Sequence, residues 1–143
     1  MKISRHWLSK FFDTELPDAA ALGDALTFHA FEIESMENDI LDVKVTANRG
    51  HDCLSHRGIA KEVAAILDTP LAHDPFAEKP VLTPSTDSVS VSITTPLCTR
   101  YIAGCIKGVK VDPSPEWLRK NLEAIGQRSI NNIVDATNFV MFN

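Results

Sequence analysis

With 143 residues, 44% of them hydrophobic, the chain can bury the core of one domain or two small ones. Its net charge of −5 excludes an overall basic footprint for nucleic acid, although a local patch can act within an acidic protein. Three cysteines without regular spacing argue against a disulfide framework, and Lys10 and Asp13 interrupt the stretch where a signal peptide needs an apolar run.

Taken in chain order, residues 4 to 12 suggest a short amphipathic helix with Trp7, Leu8, Phe11 and Phe12 on one side. Pro17 and Asp18 begin a second helix, whose Ala21, Leu22, Ala25 and Leu26 face the same core. Phe31 and Ile33 alternate with Glu32 and Glu34 as a half-buried strand, and Leu41, Val43 and Val45 alternate with polar residues as its partner. Met36 to Ile40 would be the turn. Gly50 is expected to supply a positive φ at the corner that follows, and Asp52 to cap a helix containing Ile59, Ala60, Val63, Ala64 and Leu67. Pro70, Pro75, Pro80 and Pro84 exclude a regular helix and predict an extended connector over 69–88.

Beyond the connector, Val89, Val91 and Ile93 alternate with serines and predict a strand; residues 100–109 are a second strand candidate. Ser114, Pro115 and Glu116 read as a helix start, Leu118, Leu122 and Ile125 follow at helical spacing, and Gly126 sits where a helix stops. Ser129 begins a last helix with an apolar stripe of Ile130, Ile133, Val134 and Met141. Thr137 falls inside that stripe, where a buried hydroxyl needs a backbone carbonyl, a water or a ligand. The fold class is therefore α+β: a helical domain with a β-hairpin over 1–68, the connector, and the start of a mixed α/β domain over 89–143.

Three groups of side chains are weighed for chemistry. His51, Cys53 and His56 hint at a metal site, but no second Cys or His pair stands nearby to complete four donors, so no metal is expected. Arg49, Arg57 and Lys61, with His56, form a local basic cluster that suits a phosphate backbone or an acidic partner surface, although Asp52 and Glu62 dilute it. Cys98 and Cys105 read as small core fillers, and Trp7 and Trp117 as core anchors.

The order of short words in the last third resembles the opening of the editing domain in the β subunit of bacterial phenylalanyl-tRNA synthetases. These words are Cys98-Thr99-Arg100-Tyr101, Ile106-Lys107-Gly108-Val109, Pro113-Ser114-Pro115-Glu116-Trp117-Leu118 and the run from Ile130 to Met141. Met1-Lys2-Ile3-Ser4, Trp7-Leu8, Asn48-Arg49, Asp52-Cys53-Leu54 and Gly58 to Ala64 extend the resemblance over nearly the whole chain. It implies a subunit of phenylalanine–tRNA ligase that supports assembly, tRNA binding and editing, with an α subunit as partner and tRNA bound through the whole complex. ATP and Mg are implied for the whole enzyme and no cofactor for this chain. Cytoplasmic location without a membrane is expected.

Within the resemblance, Thr137 aligns with a threonine lining the editing pocket; no catalytic residue is assigned. Asp135 and Asn138 may equally cap or bridge backbone. Two departures matter. Members of the family insert an oligonucleotide-binding barrel of roughly a hundred residues, a typical domain size, where this chain has only Met36 to Leu41. They also continue past the position of Asn143 into a segment that carries a pocket histidine. The resemblance thus implies an N-terminal fragment, inactive alone. The alternative reading is an autonomous interaction module without catalysis; a free-standing hydrolase is disfavoured because no nucleophile–base pair is visible.

Overall fold

The computed structural model describes residues 1–78 and 88–143. It is an α+β arrangement of a small antiparallel sheet and six helices. The chain opens with strand β1 (Lys2–Ser4), then α1 (Arg5–Leu8) and a 3-10 turn over Ser9–Phe11. The helix expected over 4–12 is thus two short pieces. A strand precedes them because Ile3 pairs opposite Leu41 and is fully buried. Ser4 ends the strand and caps α1, accepting a hydrogen bond from Trp7 N.

Helix α2 (Ala19–His29) starts where expected, with Asp18 accepting from Ala21 N at 2.8 Å. It leads into β2 (Ile33–Glu37) and β3 (Ile40–Val43), an antiparallel hairpin with a two-residue turn. Asn38 takes φ 52° in that turn, a conformation Asn tolerates better than most residues. The strand order is β1-β3-β2, so β3 is central, and its Leu41 and Val43 are fully buried.

After a 3-10 turn over Ala47–Arg49 come α3 (Gly50–Cys53) and α4 (His56–Ile66). Two expectations fail here. Gly50 has an ordinary helical φ of −64°, and Ser55, not Asp52, caps the long helix by accepting from Gly58 N at 3.0 Å. Asp52 is instead held by Arg49. The glycine that the corner requires is Gly58: a Cβ there would collide with the backbone oxygen of Asp52, because α3 and α4 meet at that point. Replacing Ser55 with Ala should cost about 1 kcal/mol, the usual value of a lost N-cap, read as a shift in the urea midpoint.

Residues 71–73 lie back on the first turn, where Phe11 O accepts from Ala72 N and His73 N. The connector expected over 69–88 falls partly on residues 79–87, outside those described. Neither expected strand, over 89–93 or 100–109, forms among the described residues. Val89, Val91 and Ile93 are exposed, as are Ile102, Ile106 and Val109. Alternation alone does not make a strand; a ladder partner and a covered face are needed. For the same reason Cys105 is exposed and Cys98 only half-buried, so neither fills a core.

Helices α5 (Glu116–Ala124) and α6 (Asn132–Phe142) close the fold. Leu118, Leu122 and Ile125 join the same hydrophobic cluster as Ile3, Trp7, Leu22, Leu41 and Ile59. Gly126 takes φ 81° just past α5, the left-handed stop its position predicted. Trp7 is a core anchor at 1% exposure, but Trp117 is 54% exposed.

Candidate functional site

The site is built on α6 and the loop before it. Asn131 caps the helix: its Oδ1 accepts from Ile133 N and Val134 N, both at 3.0 Å. The helix therefore begins after Asn131 and not at Ser129. Asn132 faces the other way and clamps the preceding segment, donating to Lys110 O and accepting from Asp112 N. Neither Ser114 nor Ser129 caps a helix. Both hydroxyls donate to Asp135 Oδ2 at 2.5 Å, while Ile130 N donates to Oδ1 at 2.9 Å. These donors hold the Asp135 carboxyl below the usual carboxylate range, Ser114 first and Ser129 next.

Asp135 thus ties α6 to the loops on either side of α5. The bridging role considered from sequence is the one it takes toward Ile130. Substituting Ala for Asp135 leaves two hydroxyls and an amide without their acceptor, and should lower the melting temperature by roughly 5 °C, read by circular dichroism.

Asp135, Phe139 and Phe142 lie at helical spacing and set the inward face of α6. The stripe expected to be buried points outward instead: Ile133, Val134, Val140 and Met141 are all exposed, and so is Ile130. Thr137 stands in the middle of this outward face and is itself exposed. Its hydroxyl donates to Val134 O at 2.7 Å, leaving the oxygen lone pairs to accept from a ligand.

The basic cluster is dispersed among acidic partners. Arg49 donates to both oxygens of Asp52, to Cys53 Sγ at 3.1 Å and to Glu62 at 2.7 Å, and lies over the Phe31 ring. Arg57 grips Asp74 with two bonds of 2.6 and 2.7 Å and covers Phe76, and Lys61 stands exposed on the same helix. The pairing drops the Asp74 carboxyl to about 2 and raises both guanidinium groups above their usual range.

His51, Cys53 and His56 do not converge. His51 is exposed, while His56 is completely buried with both ring nitrogens engaged, Nδ1 to Phe142 O and Nε2 from Ser4 N. Cys53 gathers instead with Asp52 and Glu62, whose ligand atoms lie within 4.8 Å of one another. The Arg49 guanidinium donates to all three, so the charge that balances this trio is already supplied by the chain. Burial pushes the Cys53 thiol up to about 11, which makes it a poor nucleophile.

Residues 97–143 match the model of the B3/4 domain. Over almost its full length the chain is 40% identical to the phenylalanine–tRNA ligase β subunit of Rhodopirellula baltica, a match of 146 residues. That match takes in 99% of this chain and 21% of the subunit. The chain is homologous to part of that subunit. The phenylalanine–tRNA ligase β subunits of Moorella thermoacetica and Synechocystis are 43% and 39% identical, over 87% and 92% of this chain and 15% of each subunit.

The chain therefore spans about a fifth or less of the ligase subunits it matches. No solved structure matches it. The Rhodopirellula match also bears on the absent barrel, because 146 aligned residues covering 99% of this chain leave no room for an inserted domain of ~100 residues. The short hairpin turn at Asn38 and Asp39 is thus shared with a ligase relative. Among the described residues, no helix is long and apolar enough to cross a membrane.

Two features of the site escaped the sequence reading. The signal for Asp135 was a carboxylate in an otherwise apolar helix, with serines at 114 and 129. The signal for His56 was a lone histidine opening an apolar helix, which read as half of a metal pair.

Proposed function

We propose that the chain serves as part of the β subunit of a phenylalanine–tRNA ligase, supporting ATP-dependent attachment of phenylalanine to its tRNA in the cytoplasm. The observation that carries this reading is the 40% identity running through 99% of the chain. Similarity of that extent favours a ligase part over an autonomous interaction module. An α subunit is the partner, and ATP and Mg belong to the assembled enzyme. Co-purification of the gene product with the α subunit, followed by charging of tRNA with phenylalanine, tests the reading; no complex and no charging would overturn it.

In this reading the outward face of α6 forms a wall of the editing pocket. Such a pocket has a physical purpose. A hydrophobic site rejects an analogue carrying one extra hydroxyl by only about a hundredfold, and tyrosine differs from phenylalanine in this way. The Thr137 hydroxyl has its proton committed to Val134 O, so it is set to accept a bond from the tyrosine phenol within an apolar surround. Thr137 shapes the pocket and is not a nucleophile. Thr137→Val in the assembled ligase should slow tyrosyl-tRNA hydrolysis about tenfold, the value of one hydrogen bond near 1.4 kcal/mol, with phenylalanine charging unchanged. Unaltered tyrosyl-tRNA hydrolysis would remove Thr137 from the pocket.

Arg49, Arg57 and Lys61 are the proposed contacts to tRNA or to the α subunit. Lys61 is the most exposed of the three, since both arginines are engaged by carboxylates.

A further inference from the structure

We propose that the groove between the hairpin turn, the first helical turn and α5 is a site for single-stranded RNA, with one unpaired base on Trp117 and its phosphates beside Lys10 and Lys120. The groove has a volume of about 530 Å³, the size of a small-ligand site. Trp117, Lys10, Lys120, His6, Asn38 and Asn121 are among its lining residues.

Three observations point to this occupant. Trp117 is 54% exposed, yet its ring is fixed edge-on against Phe139 at 5.4 Å, which makes it a held platform. An aromatic face of this kind accepts any base by stacking. The cations form the second observation. Lys120 shares Glu116 at 2.6 Å, and Asp39 faces Arg5 at 3.8 Å, whereas Lys10 has no ion pair among the described residues. The groove is thereby locally cationic in a chain of net charge −5.

The third observation is Asn121. It is only 6% exposed, lines the groove, and its Nδ2 has no hydrogen-bond partner among the described residues. A buried amide with an idle donor is costly unless something occupies it. A carboxamide presents a donor and an acceptor side by side, the pair that meets the edge of a base. An acidic peptide would satisfy the lysines but would leave the open indole face and the amide unused, so RNA is favoured. The inference uses the ligase reading only for the identity of the natural RNA; the chemistry of the groove stands without it.

The test is titration of the 143-residue chain with the oligonucleotide r(A)5, followed by tryptophan fluorescence. Saturable quenching is expected, with a log–log salt slope near −1.4 for two phosphate contacts on a single strand. Trp117→Leu should abolish the quenching, which separates it from the buried Trp7. Because Trp117 also braces Phe139, Lys10→Glu provides the second variant: it lies on the surface, should leave the melting curve unchanged, and should weaken binding at least tenfold.

Absence of saturable quenching up to roughly 1 mM, a Kd corresponding to about −4 kcal/mol, by chain shown to be folded would overturn the proposal. So would unchanged affinity in Lys10→Glu, equal binding of penta-glutamate, or full competition by inorganic phosphate at the concentration of the oligonucleotide. None of these measurements involves aminoacylation, so failure of the groove and failure of the ligase reading are distinguishable.

Discussion

Replacing Trp7 with Ala should destabilise the chain by about 4 kcal/mol, the range for removing a buried Trp. Trp7 is 1% exposed and sits between two rings, with His56 stacked at 4.0 Å on one face and Phe139 at 4.7 Å on the other. Its indole Nε1 also donates to Asn143 Oδ1 at 2.9 Å. One side chain thus joins α1, α4 and α6, elements separated by more than a hundred residues of sequence. The lost energy has three sources: the buried aromatic area, the two ring stacks and the hydrogen bond to Asn143.

Trp7→Phe keeps a ring in the stack and removes only the N–H, so about 1–2 kcal/mol should be lost, including some volume. Equilibrium unfolding in urea, monitored by circular dichroism, measures both. If the Ala variant lost less than 1 kcal/mol, the stack would not be what attaches α6 to the rest of the fold. The consequence reaches the proposed pocket, because Phe139 lies two residues from Thr137. A loosened α6 should move the outward face and reduce editing before it affects any contact remote from the stack.

Much of the first half was legible because its signals are local. Asp18 before an apolar stretch gave the start of α2, and alternation at Leu41 and Val43 gave β3 with the correct residues inward. Gly126 marked the end of α5 by its own backbone preference. What failed was anything decided by a partner distant in sequence. Ser114 and Ser129 look like caps until Asp135, far along the chain, takes both hydroxyls. Val89, Val91 and Ile93 carry a strand pattern that lacks a covering face among the described residues.

The apolar stripe of α6 shows the same limit. Periodicity finds a hydrophobic face but not which of two faces this chain covers. Phe139 and Phe142, with the ligated Asp135, turn inward, and Ile133, Val134 and Met141 turn out. Family resemblance reached further than pattern here, since it placed a threonine of interest on this helix. Geometry then supplied what resemblance did not, namely which atom of Thr137 is free to accept. Trp117 is the converse case. Its neighbours in sequence give no basic, aromatic context, yet folding brings Lys10 and His6 to it from the first helical turn.

Acidification from pH 7.5 to pH 4 should cost the fold about 3 kcal/mol through His56 alone. Burial holds its pKa down to about 4 from 6.5, with the Phe142 carbonyl opposing the shift only in part. The neutral ring fits because Nδ1–H donates to Phe142 O at 2.7 Å while Nε2 accepts from Ser4 N at 3.1 Å. A proton on Nε2 would set one N–H against another. The folded pKa lies below the unfolded one, so the unfolded chain binds the extra proton first. Stability is therefore full above about pH 6.5 and falls as pH drops toward 4, by about 1.4 kcal/mol for each pH unit once the unfolded chain is protonated.

The other four histidines are exposed, and the Asp74–Arg57 pair loses its contribution only at lower pH, between the ordinary carboxylate range and about 2. The window from 6.5 to 4 therefore belongs chiefly to His56. Urea unfolding at half-unit intervals of pH should show the slope in the parent chain and a flatter profile in His56→Gln, whose overall stability is lower but no longer tied to that proton. A parent chain equally stable at pH 7 and pH 4.5 would mean that the ring is not held neutral. Because His56 grips the carbonyl of Phe142, the first structure lost on acidification should be the end of α6. Hydrogen exchange should then show amides of α6 opening at a higher pH than those of β3.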